Sequence, residues 1–364
     1  MILTRIRNFY ARFERPLSSL SLLGGFVFDI FALKRVDLFW ENFWIVAHLA
    51  VVAICIVLIN YQESGEIDVK DPHRAHFWYV NILQFFFGGL LSTYLVFYFR
   101  SATISVTWPF IFILAAAFIA NESFKRSYTR LAFQISLFFL SLLSFAIFFV
   151  PVLFHRVGQD IFFISSAASL AVLLLYLFGL GFFARNKFRQ SKKILALSIL
   201  GILLTTNGLY FLNLIPPIPL SLKDAGIYHA VFSDGQGNYT AKTEAGKKWF
   251  SYFAPQDDIH IVGGSATLYA YSAVFSPTLF KTDIVHEWQK YDAGLGQWVA
   301  EGTIPLKVTG GREGGYRVYS FKRYITPGQW RVNVETLDDK IIGRLRFDVI
   351  SVSTEPVLMT EVKN

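Results

Sequence analysis

The chain has 364 residues, of which 54% are hydrophobic and 16% are charged, and its net charge is +8. A water-soluble protein carries about 25% charged residues, so the composition argues against a wholly soluble protein. The positive excess lies in residues 1–219, and residues 220–364 are neutral, which favours membrane topology over nucleic-acid binding as its cause. A single cysteine, Cys55, excludes an intrachain disulfide and a multi-cysteine zinc site. We predict no metal and no cofactor.

Long apolar runs follow one another up to Leu214. Each is long enough to cross the roughly 30 Å hydrocarbon core of a bilayer as a helix. They predict an α-helical membrane bundle of about seven transmembrane helices over residues 17–214. The predicted spans are Leu17–Leu33, Phe39–Asn60, Phe77–Phe99, Ile104–Asn121, Leu131–Phe154, Ile161–Ala184 and Ile194–Leu214.

Basic residues predict the orientation of these spans. Residues 1–16 carry four arginines but lack a following signal-peptide cleavage pattern, so we interpret the first run as a retained helix. With seven spans and a cytoplasmic N-terminus, the cytoplasmic segments hold 14 Lys and Arg and the outer loops hold four. This asymmetry follows the positive-inside rule and places the C-terminal region outside.

The sequence changes character after the last span. Residues 215–222 hold three prolines and predict a stiff connector. Residues 223–351 then alternate with period two between turn residues, which predicts an all-β antiparallel, immunoglobulin-like sandwich, followed by a tail over 352–364. Ala245–Phe253 is predicted to be a short helical or irregular piece. The predicted strands are Ile227–Ser233, Ala266–Phe275, Ile284–Tyr291, Trp298–Pro305, Tyr316–Ile325, Trp330–Thr336 and Ile341–Val349.

Several stretches of the sequence carry a family resemblance. The run Leu-Gly-Gly-Phe-Val-Phe-Asp at 23–29 resembles the opening of the membrane region in an uncharacterised bacterial family. His-Glu-Trp-Gln at 286–289, Thr-Gly-Gly-Arg-Glu-Gly-Gly-Tyr-Arg at 309–317 and Thr-Pro-Gly-Gln-Trp-Arg-Val at 326–332 resemble its C-terminal domain. That domain is known only as a domain of unknown function. The resemblance implies a multi-span protein of the bacterial inner membrane with a C-terminal β domain, and implies no reaction.

Ionisable side chains inside predicted spans are the first functional candidates, because burying them in lipid is costly. Asp29 and Glu41 flank the first outer loop at similar depth, and His48 lies seven residues after Glu41 on the same helix face. With Asn207 they form a candidate polar cluster that could carry a proton, bind a cation or act as acid and base. The alternative is interfacial pairing and helix packing.

The last strands of the β domain provide the second candidate. Alternation directs Arg331, Arg344 and Arg346 away from the core side. Together with Arg312 and Arg317 they form a candidate binding face for anionic lipid, cell-wall polymer or an acidic protein surface. The alternative is an ordinary charged sheet face. The glycines of the 310–316 loop are attributed to a hairpin turn, because a phosphate-binding loop would open a helix and a strand follows here.

No segment carries a complete catalytic motif. We therefore favour a non-enzymatic integral membrane protein whose outer β sandwich binds a protein, lipid or cell-wall partner of the bacterial envelope; this rests on fold analogy. The alternative is a membrane enzyme or transporter that acts on a lipid-linked or small polar substrate through the intramembrane cluster. The expected location is the bacterial inner membrane with the C-terminal domain periplasmic or extracellular. The bilayer is an expected partner, nucleic acid is not, and the oligomeric state stays open.

Overall fold

The computed structural model describes residues 23–63, 72–101, 104–123, 125–235, 237–245 and 257–363. The predicted cytoplasmic segment 1–16, the start of the first predicted span and nearly all of Ala245–Phe253 lie outside these residues. The chain divides into two compact units. One holds the helices, and the other holds the strands together with residues 101–108 and 154–159.

The helical unit contains the apolar runs of the sequence as helices. A helix satisfies its backbone hydrogen bonds within its own segment, so a long run of apolar side chains can form one without polar partners. The helices are α1 Leu23–Ala32, α2 Phe39–Glu63, α3 Pro72–Ser101, α4 Ile104–Ser123, α5 Leu131–Phe154, α6 Gln159–Phe183 and α7 Arg185–Phe211, with a 3₁₀ turn at Lys125–Thr129.

Among the described residues, five helices are long and apolar enough to cross a membrane by length and composition: α2, most of α3, α5, α6 and most of α7. The apolar parts of α1 and α4, at Leu23–Ala32 and Val106–Asn121, are shorter. The boundaries of α5 coincide with the prediction, whereas α7 starts nine residues earlier than predicted. Residues 185–193 were assigned to a loop because they are basic, but Lys and Arg have good helix propensity and continue the helix.

The β unit contains eleven strands among its described residues, four more than predicted. They are β1 Ser221–Tyr228, β2 Ala230–Ser233, β3 Tyr239–Glu244, β4 Asp257–Val262, β5 Ala266–Phe275, β6 Lys281–Asp292, β7 Gln297–Thr309, β8 Tyr316–Ile325, β9 Gly328–Thr336, β10 Ile341–Val352 and β11 Leu358–Lys363. The boundaries of β5 and β8 agree with the prediction. The last strand lies in the predicted tail and pairs with β3.

The strands form three sheets. Their orders are β4-β10-β9-β6-β7, β1-β5-β8 and β11-β3-β2. Every pair is antiparallel except β4–β10, which is parallel, so the expected purely antiparallel arrangement is corrected to a mixed one. Parallel pairing needs a long crossover rather than a hairpin, and period-two alternation within a strand carries no information on its direction.

A shared core lies between the five-stranded sheet and the β1-β5-β8 sheet. Trp288, Trp330 and Phe347 from one sheet pack with Leu268 and Ile325 from the other, and all five are buried. Burial of large aromatic side chains dominates the stability of such a core. Consequently one face of the five-stranded sheet is apolar, and its opposite face is available for polar side chains.

The glycine-rich loop after β7 does not form the predicted hairpin. Strand β7 pairs with β6, whereas β8 pairs with β5 in another sheet, so the loop carries the chain from one sheet to the next. Gly311 and Gly315 adopt φ values of 102° and 86°. Glycine adopts positive φ at low cost. These glycines are therefore needed where the chain crosses between sheets, and not in a hairpin turn.

Candidate functional site

Three arginines lie together on the outer face of the five-stranded sheet, and we call Arg331, Arg344 and Arg346 the arginine cluster. Arg331 of β9 is directly opposite Arg346 of β10 in the register, and Arg344 is opposite Asn333. Cross-strand partners on one face have Cβ atoms about 5 Å apart, and like charges in such positions are destabilising. The three guanidinium groups repel one another. The cluster is thus held together against its own charge.

A network of hydrogen bonds orients two of these guanidinium groups. Nε of Arg331 donates to Oε1 of Gln289 at 2.5 Å, and Gln289 donates to Oε2 of Glu287 at 2.6 Å. Nε of Arg344 donates to Oδ1 of Asn333 at 2.7 Å. Asn333 in turn lies 3.4 Å from the same Glu287 oxygen. One carboxylate therefore anchors both arginines through amide side chains.

None of the described residues accepts a hydrogen bond from the outward ends of these arginines. Within the described part of the chain, no hydrogen bond or ion pair involves an Nη atom of Arg331 or Arg344, and Arg346 forms neither. The Arg331 guanidinium lies over the Trp298 ring at 4.5 Å from its centroid. Trp298 in turn contacts Tyr291 edge-on at 5.4 Å. The result is a set of oriented donors beside an aromatic surface.

Burial changes the acid–base behaviour of the groups around this network. It lowers the pKa of Arg331 to about 10, with Arg344 and Arg346 adding repulsion, and it also lowers the pKa of Arg344. Glu335, which is only 6% exposed, has its pKa raised to about 7 by burial, with Glu287 adding repulsion. At neutral pH, part of the Glu335 population is therefore protonated and leaves the arginine charge uncompensated.

The other two predicted arginines lie elsewhere. Nη1 of Arg317 on β8 donates to the carbonyl of Gly237 at 2.8 Å, and the guanidinium of Arg312 packs against the same glycine. Both side chains lie near the β2–β3 turn and not in the arginine cluster. Alternation along a strand gave no means of separating them, because the sheet to which β8 belongs depends on long-range pairing.

The predicted intramembrane cluster is brought together only in part. The hydroxyl of Ser92 on α3 donates to Asp29 of α1, and Asp29 lies within electrostatic range of His48. Nδ1 of His48 donates to the carbonyl of Trp44 at 2.8 Å, which leaves Nε2 directed at Gly89, one turn before Ser92. The Asp29 side chain thus ties α1 to α3 beside the His48 ring.

Glu41 and Asn207 do not join this group. Glu41 is half-buried and has no hydrogen bond or ion pair with any described residue. The amide of Asn207 donates to the carbonyl of Leu203 in its own helix at 2.8 Å. Asp37, between α1 and α2, is paired with Arg35. The four predicted side chains therefore do not converge on one site.

Sequence reasoning missed a buried amide network at the other end of the helices. Asn60 of α2 donates to Gln134 of α5 at 2.6 Å, and Gln134 donates to the Tyr128 carbonyl at 2.5 Å. The Tyr128 hydroxyl donates to Asn121 of α4, which exchanges hydrogen bonds with Gln84 of α3. Uncharged amide side chains between apolar helices link those helices by hydrogen bonds. The signal available in the sequence was that these amides lie towards the same end of the helices.

Comparison with known proteins identifies one matching family. A model described as "Protein of unknown function (DUF2914)" matches residues 281–349, the segment from β6 into β10 that holds the whole arginine cluster. The match confirms a C-terminal domain of unknown function and assigns no activity. No curated protein matches the chain.

Two of the solved structures that the chain matches illustrate how weak the likeness is. A β-glucosidase from Listeria innocua, in complex with isofagomine, is 12% identical with a TM-score of 0.18 over 37% of this chain. The chain spans 18% of that enzyme's length. The alkylpurine DNA glycosylase AlkC from Pseudomonas fluorescens, bound to DNA containing an abasic site analog, is 9% identical with a TM-score of 0.22, over 85% of this chain and 99% of that one. At these TM-scores neither likeness bears on function.

Proposed function

We propose that the chain is an integral membrane protein whose β unit is a non-catalytic binding module for an anionic partner in the bacterial envelope. Seven transmembrane helices would anchor it in the inner membrane, with the N-terminus cytoplasmic and an immunoglobulin-like sandwich outside. The apolar length of five helices and the basic residues of the predicted cytoplasmic segments support this anchoring.

The observation that carries the binding role is the arginine cluster, whose Nη donors have no partner among the residues that the structure describes. Surface arginines are normally paired with nearby carboxylates or are mobile, and their contribution to stability is small. Here two guanidinium groups are held by the amides of the buried Asn333 and the half-buried Gln289, and directly opposed charges make the arrangement unfavourable for folding alone. An anionic partner would offset that repulsion. The scattered intramembrane candidates give the enzyme or transporter alternative less support.

Reporter fusions test the proposed topology. A reporter active only in the cytoplasm is expected to be active when fused after Lys193, and a reporter active only outside is expected to be active after Leu222. The physical reason is the basic segment 185–193, which resists translocation. A cytoplasmic signal from the fusion after Leu222 would refute the seven-span arrangement.

Site-specific photo-crosslinking in intact cells tests the binding role. A photoreactive residue replaces Gln329, which is exposed on the same sheet face as Arg331. We expect an adduct that is lost when both Arg344→Gln and Arg346→Gln are introduced, because the partner loses its charged donors. The control position is Tyr324 of β8, which is 81% exposed and lies in another sheet. Equal adducts from both positions, or an adduct that survives both substitutions, would contradict the proposal.

A further inference from the structure

We propose that the arginine cluster is a phosphate-binding site, which recognises a phosphate group carried either by a lipid head group or by a soluble polyol. This inference rests on the proposed binding function and specifies its ligand. It does not require a reaction, because no bond in the ligand is broken or formed. The site uses residues of β9 and β10, with orienting side chains from β6 and an aromatic side chain from β7.

The donors of the cluster match the acceptors of a phosphate. Arginine presents planar pairs of N–H groups that bind phosphate or carboxylate oxygens in bidentate fashion. Three guanidinium groups on two adjacent strands supply more donors than the two oxygens of one carboxylate accept. A phosphate diester offers two non-bridging oxygens that share one negative charge, a monoester offers three such oxygens, and either group can contact several arginines together.

Preorganisation strengthens the case for a specific site. The Nε atoms of Arg331 and Arg344 are already engaged by Gln289 and Asn333, so both side chains lose little freedom when a ligand arrives. The Arg331 guanidinium also lies over the Trp298 ring. Arg346 is exposed and unpaired within the described residues, and it is the arginine most free to close on the ligand.

The charge around the cluster varies with pH. Three arginines face two carboxylates, Glu287 and Glu335, and a third, Asp348, lies further along β10 and forms no ion pair with a described residue. The groups that act on Glu335 are Glu287 of β6, Arg344 of β10, Asp339 of the β9–β10 turn and Asn333 of its own strand. When Glu335 takes up a proton, the net charge of the site becomes more positive, so phosphate should bind more tightly below neutral pH.

Titration of the full chain in a neutral detergent with dimethyl phosphate, followed by ³¹P NMR line broadening, tests the site. This diester keeps a single negative charge across the pH range used, so any pH dependence belongs to the protein. We expect Arg346→Gln to weaken binding about tenfold, the usual scale for losing a charge-assisted hydrogen bond, without lowering the midpoint of thermal unfolding. Arg323→Gln on β8, an exposed arginine of another sheet, is the matched control and should bind as the unchanged chain does.

The same assay tests the pH dependence of binding and the molecule that carries the phosphate. Binding should weaken several-fold from about pH 6 to pH 8, and Glu335→Gln should remove this dependence. A short-chain phosphatidylglycerol that binds more than tenfold tighter than glycerol 3-phosphate identifies a lipid source, and equal affinity identifies a soluble one. The inference is overturned if acetate at equal ionic strength competes as well as dimethyl phosphate, or if Arg346→Gln and Arg323→Gln bind alike. A crosslink at position 329 that persists in that case would retain the binding role and reject only phosphate.

Discussion

Gly310→Ala is expected to destabilise the β unit by about 3 kcal/mol or more, which is the upper range for steric overpacking. A Cβ atom at this position would lie 1.8 Å from the carbonyl oxygen of Pro277 and 2.9 Å from its carbonyl carbon. Backbone cannot move aside as a side chain can. Gly310 is also held in place, because its N–H donates to the Phe280 carbonyl at 2.9 Å. Phe280 is fully buried, so relief of the clash would disturb the core.

Hydrogen exchange measured by mass spectrometry on the full chain is the suitable readout, since peptides from β6 and β9 report opening of this unit. Gly314→Ala, in the same loop, is the matched control, because a Cβ there meets nothing within 4 Å. We expect protection to fall sharply for Gly310→Ala and to stay near the original value for Gly314→Ala. Equal protection in the two variants would show that the loop adjusts freely, contrary to this account of the contact.

Acidification is expected to remove about 3 kcal/mol of stability from the β unit through His286 alone. This histidine of β6 is fully buried and lies between two serines of the facing sheet, with Nε2 2.8 Å from Ser272 Oγ and Nδ1 2.9 Å from Ser320 Oγ. Burial lowers its pKa to about 4, against about 6.5 in an unfolded chain. Folding therefore favours the neutral ring.

The direction of the pH effect follows from this lowered pKa. Above about pH 6.5 the ring is neutral in both the folded and the unfolded chain, and the full stabilisation by the neutral form is present. As the pH falls towards 4, the unfolded chain binds a proton that the folded chain excludes, so stability is lost. Glu335 acts in the opposite sense, because its raised pKa contributes stability at low pH that is lost as the pH rises through about 7.

Comparison with His286→Gln isolates the histidine contribution. The amide has no titrating proton, so the loss of stability between pH 6.5 and pH 4 should shrink by about 3 kcal/mol relative to the unchanged chain. His260→Gln serves as the control, since His260 is partly exposed and pairs with Glu244. Hydrogen exchange of the β6 and β9 peptides across this pH range gives the slope of stability against pH for the unchanged chain and for each variant. Parallel slopes for the unchanged chain and His286→Gln would exclude the buried ring as the source.

Local patterns in the sequence were sufficient to predict single elements and the faces of their side chains. The boundaries of α5, β5 and β8 follow from apolar run length or from alternation. The arginine cluster was predictable for the same reason. Arg331, Arg344 and Arg346 lie on two strands that are consecutive in sequence and joined by a short turn, so their shared face depends only on local register.

Only the tertiary structure decided which distant elements meet. Arg312 and Arg317 left the predicted face because β8 pairs with β5 and not with β7. The parallel partner of β10 is β4, about 90 residues earlier, and Ser92 meets Asp29 from another helix. The serines beside His286 come from strands 14 and 34 residues away. Periodicity reports the orientation of a side chain within its own element, whereas contact between elements depends on how whole faces pack, and one sequence holds no direct record of that pairing.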